Sequence, residues 1–424
     1  MTSFRFLHTA DIHLDSPLKG LAGQEGSAAQ RIRTATREAF DKLVDLAIEE
    51  KIGFLVIAGD LYDGDWRDYK TGLFFAGRMG RLKNAGIPVY LLHGNHDAES
   101  QITKRLDLPD NVKLFRTRKP ETFELKELNV ALHGQSFRQR DVSENLVPGY
   151  PDPLPGAFNI GVLHTGLGGM GGHANYAPCS LDDLVNKGYQ YWALGHVHQA
   201  EVLRQRPHIV FPGNLQGRHV RETGAKGASL ITVEDGEVVA IDSVFCDVVR
   251  WAVVTVPLDD AANIGDVKDR IRDALELVVA KEADGRLLAC RLVLTGRTEL
   301  HPRLVISEQE ILVEARASAL GLGDEVAWIE RVVIDTRPTI DPQMLAQRKD
   351  AIGELQRMLQ EAGADQALLA QIEGDIGELV RRLPHEIRTD VEDQTLKMAM
   401  KGDYAALVAE VAPYLSARLA AQED

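Results

Sequence analysis

Cysteine is scarce in this sequence. The 424 residues include only three cysteines, which are Cys179, Cys246 and Cys290. None of them forms a CxxC pair, so the sequence predicts neither a disulfide framework nor a zinc ribbon. Because so few thiols suit a compartment that keeps them reduced, we expect a cytoplasmic protein.

Long hydrophobic runs are also missing. No run reaches the roughly 18 apolar residues of a transmembrane helix, so we expect no membrane partner. The first residues lack the apolar core and small-residue cleavage site of a secretory signal. The hydrophobic fraction of 44% and the charged fraction of 26% resemble those of globular proteins, which argues against a disordered, collagen-like or fibrous chain.

Positive charge is in deficit. The chain has 48 Lys and Arg residues against 63 Asp and Glu residues, a formal net charge of −15, so the chain as a whole does not attract DNA. Contact with DNA would need a partner or a local basic track, and two basic stretches occur, at 104–119 and 204–226. The candidate substrate contacts lie in the second stretch and are Arg218, His219 and Arg221.

The residue pattern changes twice along the chain. Up to about residue 250, strand and helix signals alternate, and a hairpin is predicted to turn at Asp235-Gly236. Residues 251–337 have the pattern of a small α+β unit. Arg337-Pro338 breaks that pattern, and the remainder is helical in composition. We therefore predict three parts, at 1–250, 251–337 and 338–424.

Histidine is concentrated in one half of the chain, with 11 of 13 histidines at or before His219. Many of them belong to polar clusters that follow apolar strands, and in layered α/β folds that edge of a sheet is where sites form. Five such clusters occur in order: Asp11-Ile12-His13, Gly59-Asp60, Gly94-Asn95-His96-Asp97, His164 and Gly195-His196-Val197-His198.

These clusters offer oxygen and nitrogen donors together. Such a mixture suits Mn²⁺, Fe²⁺ or Zn²⁺ better than Ca²⁺. Seven candidate ligands are too many for one ion but fit two ions that share a carboxylate, and such a pair can clamp a phosphate and activate a water. Gly59 and Gly94 would let the backbone turn tightly, so that Asp60 and Asn95 point inward.

The five clusters resemble those of the calcineurin-like metallophosphoesterase superfamily. Two further segments, 8–14 and 211–224, resemble the DNA repair exonuclease branch, which includes SbcD and YhaO-like proteins. The resemblance implies an α/β fold, a four-layer αββα sandwich with a small α+β cap domain and a helical C-terminal tail.

The resemblance also implies roles for individual residues. One metal would be held by Asp11, His13, Asp60 and His198. The second metal would be held by Asp60, Asn95, His164 and His196, with Asp60 bridging. His96 would contact the scissile phosphate or protonate the leaving oxygen. Asp97 would orient His96 or would simply cap a turn. Asp63 stands where archaeal and eukaryotic nucleases of this group carry a histidine.

Three functions remain open on this basis. The first is a Mn²⁺-dependent DNA exonuclease, with or without endonuclease activity, that acts in DNA repair as the nuclease subunit of an SbcCD-like complex. The resemblance then implies that the C-terminal helices bind an SMC-like coiled-coil ATPase and that the chain forms a homodimer. The second is a phosphatase or cyclic-nucleotide phosphodiesterase on the same fold, because a fold alone does not fix the substrate. The third is a scaffold subunit that mainly docks the ATPase.

Overall fold

The computed structural model describes residues 3–16, 26–63, 69–99, 107–169, 175–339, 344, 346–383 and 394–420. The chain divides into two compact units. One comprises 1–252 with 279–290 and 324–328, and the other comprises 253–278, 291–323 and 329–424.

Fifteen strands lie in the described residues: β1 (Ser3–Thr9), β2 (Phe54–Ala58), β3 (Val89–Leu92), β4 (Val112–Leu114), β5 (Glu121–Leu125), β6 (Val130–Gly134), β7 (Phe158–His164), β8 (Tyr191–Gly195), β9 (Glu201–Gln205), β10 (His208–Phe211), β11 (Gly227–Glu234), β12 (Glu237–Phe245), β13 (Val249–Pro257), β14 (Leu287–Arg297) and β15 (Ala327–Arg337). They form two six-stranded sheets, ordered β12-β11-β1-β2-β3-β4 and β5-β6-β7-β8-β10-β9, and a third sheet ordered β13-β14-β15.

The α-helices of the same residues are α1 (Ser27–Glu49), α2 (Tyr69–Asn84), α3 (Asn95–Glu99), α4 (Leu181–Asn186), α5 (Ile264–Val278), α6 (His301–Ile306), α7 (Glu308–Gly321), α8 (Ala351–Ala362), α9 (Gln366–Arg382), α10 (Gln394–Lys401) and α11 (Tyr404–Ala420). None of the described helices is long and apolar enough to span a bilayer.

The two large sheets share one core. Phe6 of β1 stacks on Phe54 of β2 with ring centroids 4.8 Å apart, and it meets Tyr191 of β8 edge-on at 5.3 Å. The outer face of the first sheet packs on α1 and α2, through side chains that include Phe40 and Phe75. Trp192 packs beside α4 on the outer face of the second sheet. The layers are therefore helix, sheet, sheet and helix, which confirms the predicted αββα class.

Strand direction positions the candidate site. Strands β1 to β4 are parallel to one another, and so are β6, β7 and β8. Because both faces of the sheets are covered at β2, β3 and β8, these strands read as continuous apolar runs rather than as alternating ones. The carboxyl ends of the parallel strands meet at one edge within each sheet, and the polar clusters follow those ends.

The C-terminal helices pack in part on the α+β segment of the second unit. Helix α11 contacts both α6 and α8. By contrast, α9 has no buried residue along its whole length, and Leu379 on it is 62% exposed. The tail therefore contains one helix that packs on the α+β segment and one, α9, whose other large apolar side chains are half-buried while Leu379 is exposed.

Candidate metal centre

The structure brings all seven predicted metal ligands to the sheet edge. Asp11 and His13 follow β1, Asp60 follows β2, Asn95 follows β3, His164 ends β7, and His196 and His198 follow β8. Six of the seven belong to groups of His and Asp donor atoms that lie within 4.8 Å of one another, and the side-chain oxygen of the seventh, Asn95, lies 3.0 Å from Nε2 of His164. The three groups are Asp11, His13 and His198; Asp60, His164 and His196; and His13, Asp60 and His96.

His13 tests whether this site suits a metal. Its imidazole is completely buried, and neither ring nitrogen has a hydrogen-bond partner. A buried polar atom left unpaired costs about 1–3 kcal/mol. Nε2 of His13 lies 3.9 Å from Asp60, and Nε2 of His198 lies 3.7 Å from Asp11. A cation bound among these donors would satisfy the orphaned imidazole, so the residues fit a metal.

His164 is oriented for ligation by its second nitrogen. Its Nδ1 donates to the carbonyl of Ala58 at 2.9 Å, so Nε2 is the nitrogen that faces the other candidate ligands. Nε2 lies 3.0 Å from the side-chain oxygen of Asn95 and 3.4 Å from Asp60. Ligating histidines usually fix their tautomer through such a carbonyl.

Asp60 lies between the two groups of donors. Its Oδ2 is 3.9 Å from His13 on one side and 3.4 Å from His164 on the other. Its Oδ1 accepts the backbone N–H of His96 at 3.0 Å. This is the placement that a carboxylate shared by two ions requires.

The ligand side chains lie so close to the backbone at Gly59 and Gly94 that only glycine fits at these two positions. A Cβ on Gly94 would lie 2.3 Å from an oxygen of Asp60, and a Cβ on Gly59 would lie 2.4 Å from Nδ1 of His164. Gly59 also has a φ of 97°, which side chains rarely allow. Both positions therefore exclude any larger residue while the ligands keep their places.

Four candidate ligands have strained backbones. Residues other than glycine rarely adopt a positive φ, and each instance costs about 1–3 kcal/mol. Such strain persists where the surrounding structure demands it, and it clusters at functional sites. The residues are Asp11 (50°), His13 (47°), Asp60 (51°) and His196 (102°).

Burial shifts the pKa values in the centre. It raises the pKa of Asp11 to about 6 and that of Asp97 to about 7, and it lowers the pKa of His13 to about 4. Burial acts against both charges of the Asp60–His164 pair, but their attraction outweighs it. The pKa of His164 is accordingly raised to about 9, and that of Asp60 is held well below its ordinary value. Metal ligands must be deprotonated, so a bound divalent cation would displace protons here.

His96 faces a carboxylate that sequence reasoning assigned no role. Its Nδ1 lies 3.0 Å from Asp63. Asp63 outweighs the burial of the ring and raises the pKa of His96. The His96 side chain remains 32% exposed, so the imidazole is accessible from solvent.

The Asp97 carboxylate binds backbone groups of two loops, and its orienting role toward His96 stays a prediction. The Asp97 carboxylate accepts the backbone N–H groups of Leu61, Tyr62 and Gly94, at 3.2, 2.9 and 3.0 Å. It therefore ties the loop after β2 to the loop after β3, while Asp63 is the carboxylate beside His96. The cause is that α3 starts at Asn95 and turns successive side chains in different directions.

Glu222 is the second residue that sequence reasoning missed. It is 6% exposed, and Oε1 lies 2.7 Å from Nδ1 of His198. Oε2 accepts the backbone N–H of Arg218 at 2.7 Å and the side-chain amide of Asn214 at 3.0 Å. Arg218 and His198 together hold the pKa of Glu222 well below its ordinary value, although burial opposes this. The sequence feature that could have pointed to Glu222 is its position as an acidic residue within the basic stretch at 204–226.

The predicted substrate contacts divide between the site and the surface. The Arg218 side chain is 13% exposed, and its Nη1 lies 3.7 Å from Asp63. His219 is partly exposed, with Nε2 3.7 Å from Glu222. Arg221 is exposed. In the other basic stretch, Lys104 and Arg105 lie outside the described residues.

Comparison with known proteins agrees with this geometry. The family model for the calcineurin-like phosphoesterase matches residues 4–200, and the model for the metallophosphoesterase YhaO middle domain matches residues 251–337. The uncharacterized metallophosphoesterase YhaO of Bacillus subtilis is 35% identical over 300 residues, which cover 70% of this chain and 72% of that protein.

More distant similarity reaches two archaeal proteins named DNA double-strand break repair protein Mre11. The protein from Sulfurisphaera tokodaii is 27% identical over 294 residues, which cover 65% of this chain and 70% of that protein. The protein from Methanopyrus kandleri is 27% identical over 211 residues, which cover 46% of this chain and 44% of that protein.

Proposed function

Because the chain belongs to the calcineurin-like metallophosphoesterase family, in the SbcD and YhaO-like branch, we propose that it is a nuclease that hydrolyses DNA phosphodiester bonds. Membership supports a metal-dependent phosphoesterase that uses two divalent ions. The observation that carries the proposal is the convergence of seven proposed ligands from five strand ends. Six of them form groups with donor atoms within 4.8 Å of one another, and Asn95 lies 3.0 Å from His164.

The proposed ligand sets follow these groups. Asp11, His13, Asp60 and His198 hold one ion. Asp60, Asn95, His164 and His196 hold the other. Two such ions, when bound, polarise the phosphate and lower the pKa of a water molecule. We propose Mn²⁺, because four of the seven side chains are imidazoles and Mg²⁺ prefers an all-oxygen shell.

The chain's own side chains supply the remaining chemistry. Asp63 keeps the Nδ1 proton of His96 in place across 3.0 Å, so His96 can offer Nε2–H to the leaving oxygen. Arg218 is held beside the site by Glu222 and Asp63. Its guanidinium favours the extra negative charge of a phosphoryl transition state.

The DNA substrate and the ATPase partner rest on different support. DNA is favoured by the similarity to two Mre11 proteins whose names specify DNA double-strand break repair. The ATPase partner of an SbcCD-like complex is favoured by α9, an amphipathic helix with no buried residue. The exposed Leu379 on an otherwise half-buried apolar stripe suits docking on another helix.

One assay series tests the proposed activity. We expect the purified chain with Mn²⁺ to cleave linear DNA and bis-p-nitrophenyl phosphate, and to act slowly on p-nitrophenyl phosphate and on a cyclic nucleotide. With Mg²⁺ alone the rates should fall sharply. Asp60→Asn controls for contaminating nucleases, because it should abolish every activity of this site. Fast turnover of the monoester or the cyclic nucleotide without DNA cleavage would replace the nuclease proposal with the phosphatase or cyclic-nucleotide alternative.

A further inference from the structure

A cavity of about 460 Å³ opens on the first unit, and none of its lining residues is a proposed metal ligand. Its walls come from the segments that follow β4 and β6, and they include Arg118 and Arg138. Strand β4 is the parallel neighbour of β3, and β6 is the parallel neighbour of β7. Since Asn95 follows β3 and His164 ends β7, the cavity lies at the carboxyl ends of the strands that neighbour those two.

Direct contacts join the cavity wall to the metal centre. The Ser136 hydroxyl accepts the backbone N–H of His93 at 3.0 Å, and the Phe137 N–H donates to the carbonyl of His93 at 2.9 Å. The Phe137 ring also meets the imidazole of His164 edge-on, with centroids 5.6 Å apart. The wall is therefore fixed relative to the loop that carries Asn95 and His96.

The cavity presents two available guanidinium groups. Arg118 and Arg138 are exposed, and neither has a hydrogen-bond or ion-pair partner among the described residues. Arg116, two residues before Arg118, is instead paired with Glu121 at 3.2 Å. Glu144 is the one acidic residue among the lining residues, so the wall is net positive in a chain whose net charge is −15.

We propose that this cavity is a subsite for the nucleotide next to the scissile bond, with Arg118 and Arg138 binding its phosphate. This inference rests on the proposed nuclease function. It adds a binding subsite that favours a polynucleotide over a simple phosphate ester. Guanidinium groups bind phosphate oxygens in a bidentate manner. The apolar floor, formed by Phe137, Val142 and Leu146, suits a sugar. A simple phosphate ester has no second phosphate, so it gains nothing from this wall.

Charge-removing variants and two substrate sizes test the subsite. The variants are Arg118→Ala, Arg138→Ala and their double, with Arg116→Ala as a control that removes the same charge outside the cavity. We expect the double variant to raise KM for oligothymidylate by about tenfold or more, and to reduce the salt dependence of its binding by about one unit of slope per arginine. Turnover of bis-p-nitrophenyl phosphate and metal content should not change.

Three outcomes would overturn the subsite. Unchanged binding of labelled oligothymidylate by the double variant, measured by fluorescence anisotropy in EDTA, would show that the cavity takes no phosphate. An equal loss of activity on oligothymidylate and on bis-p-nitrophenyl phosphate would show that the cavity wall only supports the loop that carries Asn95 and His96. If Arg116→Ala raised KM for oligothymidylate as much as the double variant, binding would depend on the general positive charge of this surface and not on the cavity. If the unaltered chain turned over bis-p-nitrophenyl phosphate but neither bound nor cleaved oligothymidylate, the nuclease proposal itself would fail.

Discussion

Single side chains define what the proposed metal centre can do. His96 lies within ligand distance of His13 and Asp60, yet its Nδ1 faces Asp63. The two arrangements assign it different roles, metal ligand or contact to the substrate. Its partial exposure favours the substrate contact.

We predict that His96→Ala retains both metals but loses most DNA cleavage. Loss of one transition-state contact typically lowers kcat by about 10²–10³-fold. Elemental analysis of the metal-loaded variant gives the metal content, and initial rates give the loss. A vacant metal position in this variant would instead identify His96 as a ligand.

Asp60 should contribute to the binding of both metal ions, whereas His198 should contribute to the binding of one. We predict that Asp60→Asn lowers occupancy at both positions, because its carboxylate faces His13 and His164 and offsets repulsion between the cations. His198→Ala should mainly empty the position near Asp11. Titration of the metal-free variants with Mn²⁺ counts the remaining sites. One full site in each variant would contradict the bridging role.

Glu222 is predicted to set the metal affinity of His198 without binding metal itself. Glu222→Gln retains the shape, but its amide group would face the N–H donors of Arg218 and Asn214 and disturb the hold on His198. Loss of such a partner typically weakens metal affinity by about 10–100-fold. Calorimetric Mn²⁺ titration measures this, with the exposed Glu234→Gln as the matched control. Unchanged affinity with a lowered Tm would leave Glu222 a purely structural role.

Among the elements, the tight strand-to-loop turns matter most for the centre. Gly94 links β3 to α3, where a Cβ would lie 2.3 Å from Asp60. In α2, a Cβ on Gly77 would meet nothing within 4 Å. Replacement of glycine by alanine is therefore expected to lower stability at Gly94 and to raise it at Gly77.

We predict that Gly94→Ala lowers Tm and Mn²⁺ affinity together, since the added methyl group displaces the Asp60 carboxylate. Gly77→Ala should raise stability by about 0.5–1 kcal/mol, because alanine is the better helix residue. Thermal melting with and without Mn²⁺ distinguishes the effects. Normal Mn²⁺ affinity in Gly94→Ala would show that the loop can shift at no cost to the ligands.

Elements were predictable from the sequence where their pattern was strong. The hairpin at Asp235-Gly236 is confirmed: both residues have positive φ, at 51° and 83°, as a tight two-residue turn requires. Apolar residues at helical spacing over 32–48 predict a helix there, and the structure starts that helix earlier, at Ser27. Strands β4, β5 and β9 were not predicted. They are short or lie at sheet edges with largely exposed side chains, so they lack a continuous apolar run.

The whole molecule raises the question of what the tail does. Apolar residues at helical spacing in the tail can either pack internally or dock a partner, and the structure contains both buried and exposed examples. Helix α11 contacts α6, whereas Leu379 on α9 and Met358 on α8 are each 62% exposed.

We predict that Leu379→Ser with Met358→Ser abolishes binding to an SMC-like ATPase while Tm and cleavage of short substrates remain. Deletion of 338–424 should also lose the partner, but with a lower Tm, because it uncovers α6. A pull-down beside thermal melting of each variant gives both readouts. Retained partner binding by the double serine variant would exclude these side chains as the docking surface.

The ligand types, their order and their placement after strands could all be inferred from the sequence, because strand ends and donor chemistry are local properties. The αββα class and the family followed from the same motifs. The contacts of Asp63 with His96 and of Glu222 with His198, and the cavity that Arg118 and Arg138 both line, could not be inferred. Each pair joins segments 20 or more residues apart, and no local pattern encodes which loops meet. The tertiary structure determines which loops meet, because the packing of the two sheets brings the ends of separate strands together at one edge.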